Sequence, residues 1–118
     1  MRQLSIFLFT FLIIFRVVAQ NDYGCNKLDS KLEKSKCFEV VGLDKLKLKN
    51  YGEAYTAFIK GIEIIGSDYN NNLRYIDDSG QKLALAKIEN QEGNNSIASN
   101  LAKNVLGARI VMLSNSNE

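Results

Sequence analysis

Apolar residues recur at steps of three and four in four stretches of the chain, the spacing that aligns side chains on one face of a helix. We predict helices over about 31–48, 51–65, 79–92 and 96–113. Proline is absent, and the alternation of apolar and polar positions typical of a half-buried strand is rare. The pattern therefore predicts an all-α protein of four helices, arranged as two antiparallel αα-hairpins.

Polar residues mark the expected helix boundaries. Gly66 is placed to end the second helix in a left-handed conformation, and the third helix is expected to stop at Gly93. We expect an irregular connection or a short extra turn over 67–77. Three helix starts have the form of a capping box, a short polar residue followed three positions later by Glu or Gln: Ser30 with Glu33, Asn50 with Glu53, and Asp78 with Gln81. The expected buried positions are Leu32, Phe38, Val41 and Leu48 in the first helix, Tyr51, Ala54, Tyr55, Phe58, Ile62 and Ile65 in the second, and Ile97, Leu101, Val105 and Met112 in the fourth.

The first nineteen residues have the pattern of a secretory signal peptide. Arg2 precedes an apolar run over 4–15 that only Ser5 and Thr10 interrupt, and Val17-Val18-Ala19 supplies residues suited to a cleavage site after position 19 or one residue later. The run is too short for a comfortable membrane span, which needs about 20 residues. An uncleaved N-terminal anchor is the alternative, since Arg16 lies close to the cut. We expect 1–19 to be removed and 20–118 to form one small helical domain in the periplasm or outside the cell.

Two cysteines remain in the exported chain, Cys25 and Cys37. An even count in an oxidising compartment is typical of a disulfide. Along one continuous helix the pair would be separated by about 18 Å, whereas a disulfide joins Cα atoms about 5.5 Å apart. The chain before Cys37 must therefore fold back if the bond forms. Redox enzymes place their cysteines two residues apart, so we predict a structural bond.

Composition removes several classes of function. Without histidine the chain cannot form a Ser-His-Asp triad, a Cys-His nucleophile or a histidine-ligated metal site. Without Arg2 and Arg16 it holds 13 basic against 13 acidic residues, and a neutral chain lacks the electrostatic footprint of a nucleic-acid partner. We therefore expect no catalysis, no cofactor and no metal, no nucleic-acid partner, and no stable membrane insertion after cleavage.

Residues 35–66 resemble a tetratricopeptide repeat, a 34-residue helix-turn-helix unit of many protein-interaction scaffolds. Phe38, Val41 and Gly42 fill the large, leucine-like and small positions of the family's first helix, and Tyr51, Ala54 and Phe58 fill the aromatic, small and large positions that follow, with Gly61 at the next small position. Lys45 departs from the pattern because an apolar or aromatic residue is usual there, and Gly66 replaces the closing proline.

A second, weaker copy of the pattern covers residues 80–107. Its matching positions are Leu85, Ala86, Gly93, Ala98, Ala102 and Val105. Ala98 follows Ala54 by 44 residues, ten more than the family's period, and the excess falls in the 67–77 connection. A generic small helical bundle is the alternative interpretation. Two repeats are fewer than the three that a stack usually needs, so the N-terminal loop acts as a cap or the open end dimerises.

The resemblance implies that the protein binds another protein through the first helix of each hairpin. The residues expected on that face are Glu39, Leu43, Leu46, Lys47, Leu83, Lys87 and Asn90. The leading hypothesis is an exported, non-catalytic interaction module. The alternative is a dedicated inhibitor or immunity-type protein that inserts the 67–77 connection into the active site of one enzyme.

Overall fold

The computed structural model describes the backbone of residues 22–69 and 76–116. It describes the surroundings of the side chains for residues 22–66 and 78–115. The segment 1–19 expected to be a signal peptide, and the middle of the 67–77 connection, lie outside the described residues. A 3-10 helix at Cys25–Lys27 precedes four α-helices: α1 (Lys31–Lys47), α2 (Tyr51–Tyr69), α3 (Ile76–Gln91) and α4 (Asn95–Ser116). The predicted all-α fold of two hairpins is confirmed.

Each hairpin closes through the same turn. In the first, the Lys49 and Asn50 amides donate to the carbonyls of Leu46 and Lys45, and Lys49 adopts the left-handed region with φ 58°. In the second, 44 residues further on, the Gly93 and Asn94 amides donate to Asn90 and Glu89, and Gly93 has φ 85°. The prediction that Gly93 ends the third helix is confirmed.

Two small residues set the spacing of the helices. A methyl group built on Gly42 of α1 would lie 2.6 Å from Cδ1 and Cζ of Phe58, in still closer contact with Cε1. One built on Gly61 of α2 would lie 2.8 Å from Cδ2 of Leu106 in α4 and 3.3 Å from Cβ of Phe38. The Ser35 hydroxyl donates to the Gly61 carbonyl at 3.2 Å inside this junction. These positions therefore let α1, α2 and α4 approach closely.

The core lies mainly between α2 and α4. Both helices begin at the same end of the molecule, because a methyl group on Gly52 would lie 3.9 Å from Nδ2 of Asn95. They thus run parallel, α1 packs on both, and α3 packs on α4. The buried core residues are Ala54, Phe58, Ile62, Ile65, Ala102, Val105, Leu106 and Ile110, with Leu32, Leu46, Tyr55, Ile59, Leu83, Met112 and Leu113 packed around them.

Two predicted boundaries are wrong. Helix α2 continues through Gly66 to Tyr69, and Gly66 has ordinary helical geometry, since within the described chain positive φ among glycines occurs at Gly24 and Gly93. Helix α3 begins at Ile76, so Asp78 lies inside the first turn, where it pairs with Lys82 at 3.3 Å. The ends of the supposed irregular connection, 67–69 and 76–77, are therefore helical.

Two positions expected to be buried are exposed. Leu48 lies in the turn after α1 and is 74% exposed, and Ile97 in α4 is 51% exposed. The buried face of α4 is instead formed by Ala98, Ala102, Val105, Leu106 and Ile110. The small alanines face the core because α2 lies close by, which turns the larger Ile97 outward.

Candidate functional site

A disulfide anchors the N-terminal segment to α1. Cys25 and Cys37 are bonded, with their Cα atoms 5.5 Å apart, and Cys25 is fully buried. The Asp22 carboxylate shapes the turn before it by accepting from the Gly24 amide at 3.0 Å and the Asn26 amide at 3.1 Å. These bonds, that from Gly24 foremost, lower the pKa of Asp22 below its ordinary 3.8. The predicted disulfide and the predicted fold-back before Cys37 are confirmed.

Lys45, the departure from the repeat pattern, joins three segments. Its Nζ donates to the Glu53 carboxylate at 2.8 Å and lies 5.6 Å from the ring centroid of Tyr23. The hydrogen bond raises the pKa of Lys45 and lowers that of Glu53. A cation over an aromatic face is attracted to it. Lys45 therefore links the N-terminal turn, the end of α1 and the start of α2, in place of an apolar contact.

The candidate partner residues of α1 are divided between solvent and the interior. Leu43 and Lys47 are exposed, with Leu43 at 38%. Leu46 is half-buried and packs on the α2–α4 core. Glu39 is half-buried, and its Oε2 would lie 3.5 Å from a methyl group built on Gly107, so it faces α4. Two of the four residues are therefore available on the surface.

The α3 candidates divide in the same way. Leu83 is half-buried and packs on the core, Asn90 is half-buried, and Lys87 is exposed. The C-terminal ends of α1 and α3 lead into the two hairpin turns, which lie at the same end of the bundle because Gly52 and Asn95 meet there. The structure thus brings Lys47 and Asn90 to one end of the molecule.

Sequence reasoning missed two exposed apolar side chains, one in α1 and one in the turn that follows it. Val40 is 56% exposed and Leu48 is 74% exposed. Val40 lies one helical turn before Leu43, so the i, i+3 spacing would have placed it on the same outward face. We call Val40, Leu43, Lys47 and Leu48 the α1 patch.

A second surface feature is an open cleft of about 330 Å³ between the N-terminal turn and α2. Phe38 lies at its apolar side with Ile64, and Asp22, Asn26, Lys60 and Glu63 supply its polar groups. Charges of both signs line the cleft, so it has no marked preference for a cation or an anion.

Neither a metal-type cluster nor a membrane-spanning helix is found in the described segments. Three or more Cys, Asp or Glu side chains do not converge anywhere within 22–69 and 76–116. None of the helices described is both long and apolar enough to cross a bilayer. No family model, curated protein or solved structure matches the chain.

Proposed function

We propose that the chain is an exported, non-catalytic protein-binding module built from two tetratricopeptide-like hairpins. The packing of the first hairpin supports the family resemblance. Gly61 of α2 lies beside Phe38 of α1, and Gly42 of α1 meets the Phe58 ring of α2, as the large and small positions of the repeat imply. The glycine admits the aromatic ring, and the ring fills the space that the missing side chain leaves.

The equivalence of the two hairpin turns supports an internal repeat. The bonds from Asn50 to Lys45 and from Asn94 to Glu89 are the same turn at an offset of 44 residues. The starts of α2 and α4 match as well, because the Ala54 amide donates to Asn50 and the Ala98 amide to Asn94. This is the offset at which the weaker sequence copy aligns. The contact of the hairpins through α4 differs from a stack in which successive first helices adjoin, so the α1 patch is the main candidate surface.

The disulfide supports export. A structural bond between Cys25 and Cys37 is stable in the periplasm or outside the cell and is rare where thiols are kept reduced. The leading segment 1–19 would direct the chain there as a cleaved signal peptide. After cleavage the protein would act free of the membrane.

One observation carries the choice of surface: the α1 patch exposes three large apolar side chains, Val40, Leu43 and Leu48. Val40 and Leu43 share one helix face by their i, i+3 spacing, and contiguous exposed apolar groups mark interaction sites more often than isolated ones do. Lys47 lies among them and would orient a partner. Lys87 and Asn90 of α3 lie toward the same end of the bundle as Lys47.

Affinity capture from the native host tests the proposal, with the mature protein tagged after Glu118 and co-eluting proteins identified by mass spectrometry. The double variant Leu43→Glu, Lys47→Glu should lose the partner. The matched control Leu85→Glu changes another exposed leucine, 45% exposed on α3, and should retain it.

The inhibitor hypothesis gives the opposite pattern. Deletion of residues 70–72, which lie outside the described part of the chain, would then abolish binding to a single enzyme while the α1 variant kept it. Retention of the partner by both the α1 variant and the deletion would show that neither surface is used, and the proposal would be abandoned.

A further inference from the structure

The outward face of α4 carries no charged side chain. Its exposed residues recur at steps of three and four over five turns of the helix and consist of amides and apolar groups: Ile97, Asn100, Asn104, Ala108, Val111 and Asn115. Ile97 is 51% and Val111 is 59% exposed. We call this set the α4 stripe. It occurs in a chain of which 24% is charged.

A helix face directed at solvent normally carries charged residues. The central part of a protein–protein interface is instead depleted of charge and contains apolar side chains. The α4 stripe has the composition of an interface centre, and it lies on the side of α4 opposite the buried Ala98, Ala102 and Leu106. It is formed by residues of a different helix from the α1 patch, and its occupant need not be the partner proposed above.

The arrangement of the stripe is self-complementary. Asn104 lies midway between Ile97 and Val111, seven residues from each. On a helix, fourteen residues span about 21 Å. If two copies of α4 cross antiparallel about a two-fold axis at Asn104, Ile97 of each copy meets Val111 of the other. The two Asn104 amides then meet on the axis, where each can donate and accept a hydrogen bond.

Small residues allow the approach that such pairing needs. Asn100 of one copy falls opposite Ala108 of the other, and Gly107 borders the stripe on the next position. The charges at the edge are also complementary. Lys103 and Glu39 flank the same side of the stripe, since Glu39 lies beside Gly107. The two-fold operation brings Lys103 of one copy toward Glu39 of the other.

We propose that the protein forms a two-fold homodimer through an antiparallel pairing of the α4 stripe, with Asn104 on the axis. An interface in which the same patch serves both subunits is the commonest form of protein dimer. A polar residue such as asparagine within an otherwise apolar helix seam specifies the register of the pairing.

Register-specific crosslinking of the full exported chain tests the geometry. Ile97→Cys and Val111→Cys are made as separate proteins, one with a mass tag, and are mixed under mild oxidation. A covalent dimer containing one copy of each is expected. Neither variant alone should crosslink, because like positions lie about 21 Å apart in this register. A mixture of Ile97→Cys and Val40→Cys, the latter on the exposed face of α1, is the matched control and should give no covalent dimer.

Analytical ultracentrifugation tests the association itself. Asn104→Asp places two like charges on the axis. It should raise the dissociation constant of the dimer by at least about tenfold, as expected for opposed like charges at an interface. Gln81→Glu adds the same charge at an exposed position of α3 and should leave the dissociation constant unchanged. The proposal is overturned if the wild-type protein sediments as a monomer up to about 1 mM, a very weak affinity, or if crosslinks form in another register. Loss of a different captured protein in Asn104→Asp, with a monomeric wild type, would assign the stripe to that protein and overturn self-association.

Discussion

The contact between Gly42 and Phe58 predicts opposite effects for the same substitution at two glycines. Replacing glycine by alanine inside a helix normally stabilises it by about 1 kcal/mol. At Gly42 the added methyl group would lie 2.6 Å from two carbons of the Phe58 ring and closer to a third. Phe58 is fully buried, so the ring has no open space into which to turn. Overpacking of this kind costs about 1–3 kcal/mol.

The upper part of that range exceeds the helix gain, so Gly42→Ala should lower the free energy of unfolding by about 1–2 kcal/mol. For a domain of this size the melting temperature should fall by about 5–15 °C. Gly66 is the control, because it also lies in a helix but nothing lies within 4 Å of a methyl group built there. Gly66→Ala should therefore raise the free energy of unfolding by about 0.5–1 kcal/mol.

Thermal and urea unfolding followed by circular dichroism measure both changes. The cause is checked with Phe58→Leu, which removes the ring atoms that clash. The loss in the Gly42→Ala, Phe58→Leu double variant should be smaller than the sum of the two single losses, by a coupling energy of about 0.5–3 kcal/mol. If Gly42→Ala is as stabilising as Gly66→Ala, or if the two losses add fully, the close approach of α1 and α2 is not what that glycine provides.

Three further predictions concern the turns and the N-terminal segment. Removing the disulfide with Cys25→Ser and Cys37→Ser should cost about 2–3 kcal/mol, because the closed loop is short; reductant should lower the melting temperature of the wild type and leave the variant unchanged. Lys49→Gly should stabilise by about 0.5–1 kcal/mol by relieving a left-handed lysine, and a lower stability in denaturant titration would contradict this. The pKa values of Asp22 and Glu53 are lowered on folding from 3.8 and 4.5, so their stabilisation is present above these values and is lost as the pH falls through the lower, folded values. The protection factors of the Gly24 and Asn26 amides, which correct the exchange rates for the intrinsic effect of pH, should therefore fall below about pH 4; protection factors that do not change with acidification would refute the hydrogen bonds assigned to Asp22.

The parts of the fold that were predictable from sequence depend on local pattern. Ser30 caps α1 as expected, accepting from the Glu33 amide at 3.0 Å, because a capping box involves residues three positions apart. The buried face of α2 was likewise predictable, since Ala54, Phe58 and Ile62 lie on one face of a single helix and are buried. The disulfide was predictable from the expected oxidising compartment and from the number and spacing of the cysteines. Each of these inferences needs one element or one short loop.

The errors arise where a second helix decides the outcome. Ile97 was expected in the core because it is large and apolar, but the close approach of α2 selects Ala98 instead. Gly66 was expected to end α2, yet nothing requires a left-handed residue there and the helix continues. The division of the candidate site has the same origin: Leu46 and Leu83 pack on the core that α2 and α4 form, a contact that depends on how the helices pack on one another.

Gly61 shows why α4 can take that place. It lies where three helices meet, with Leu106 of α4 and Phe38 of α1 both within 3.3 Å of the position a methyl group would occupy, and its carbonyl is held by the Ser35 hydroxyl. A larger residue would push α4 away from α2 and would move α1 with it. The first hairpin therefore does more than resemble a repeat unit, because its small residue Gly61 lets α4 of the second hairpin pack closely against it. This packing leaves the outer faces of α1 and α4 exposed to solvent. A partner is proposed to bind the face of α1, and a second copy of the chain is proposed to bind the face of α4.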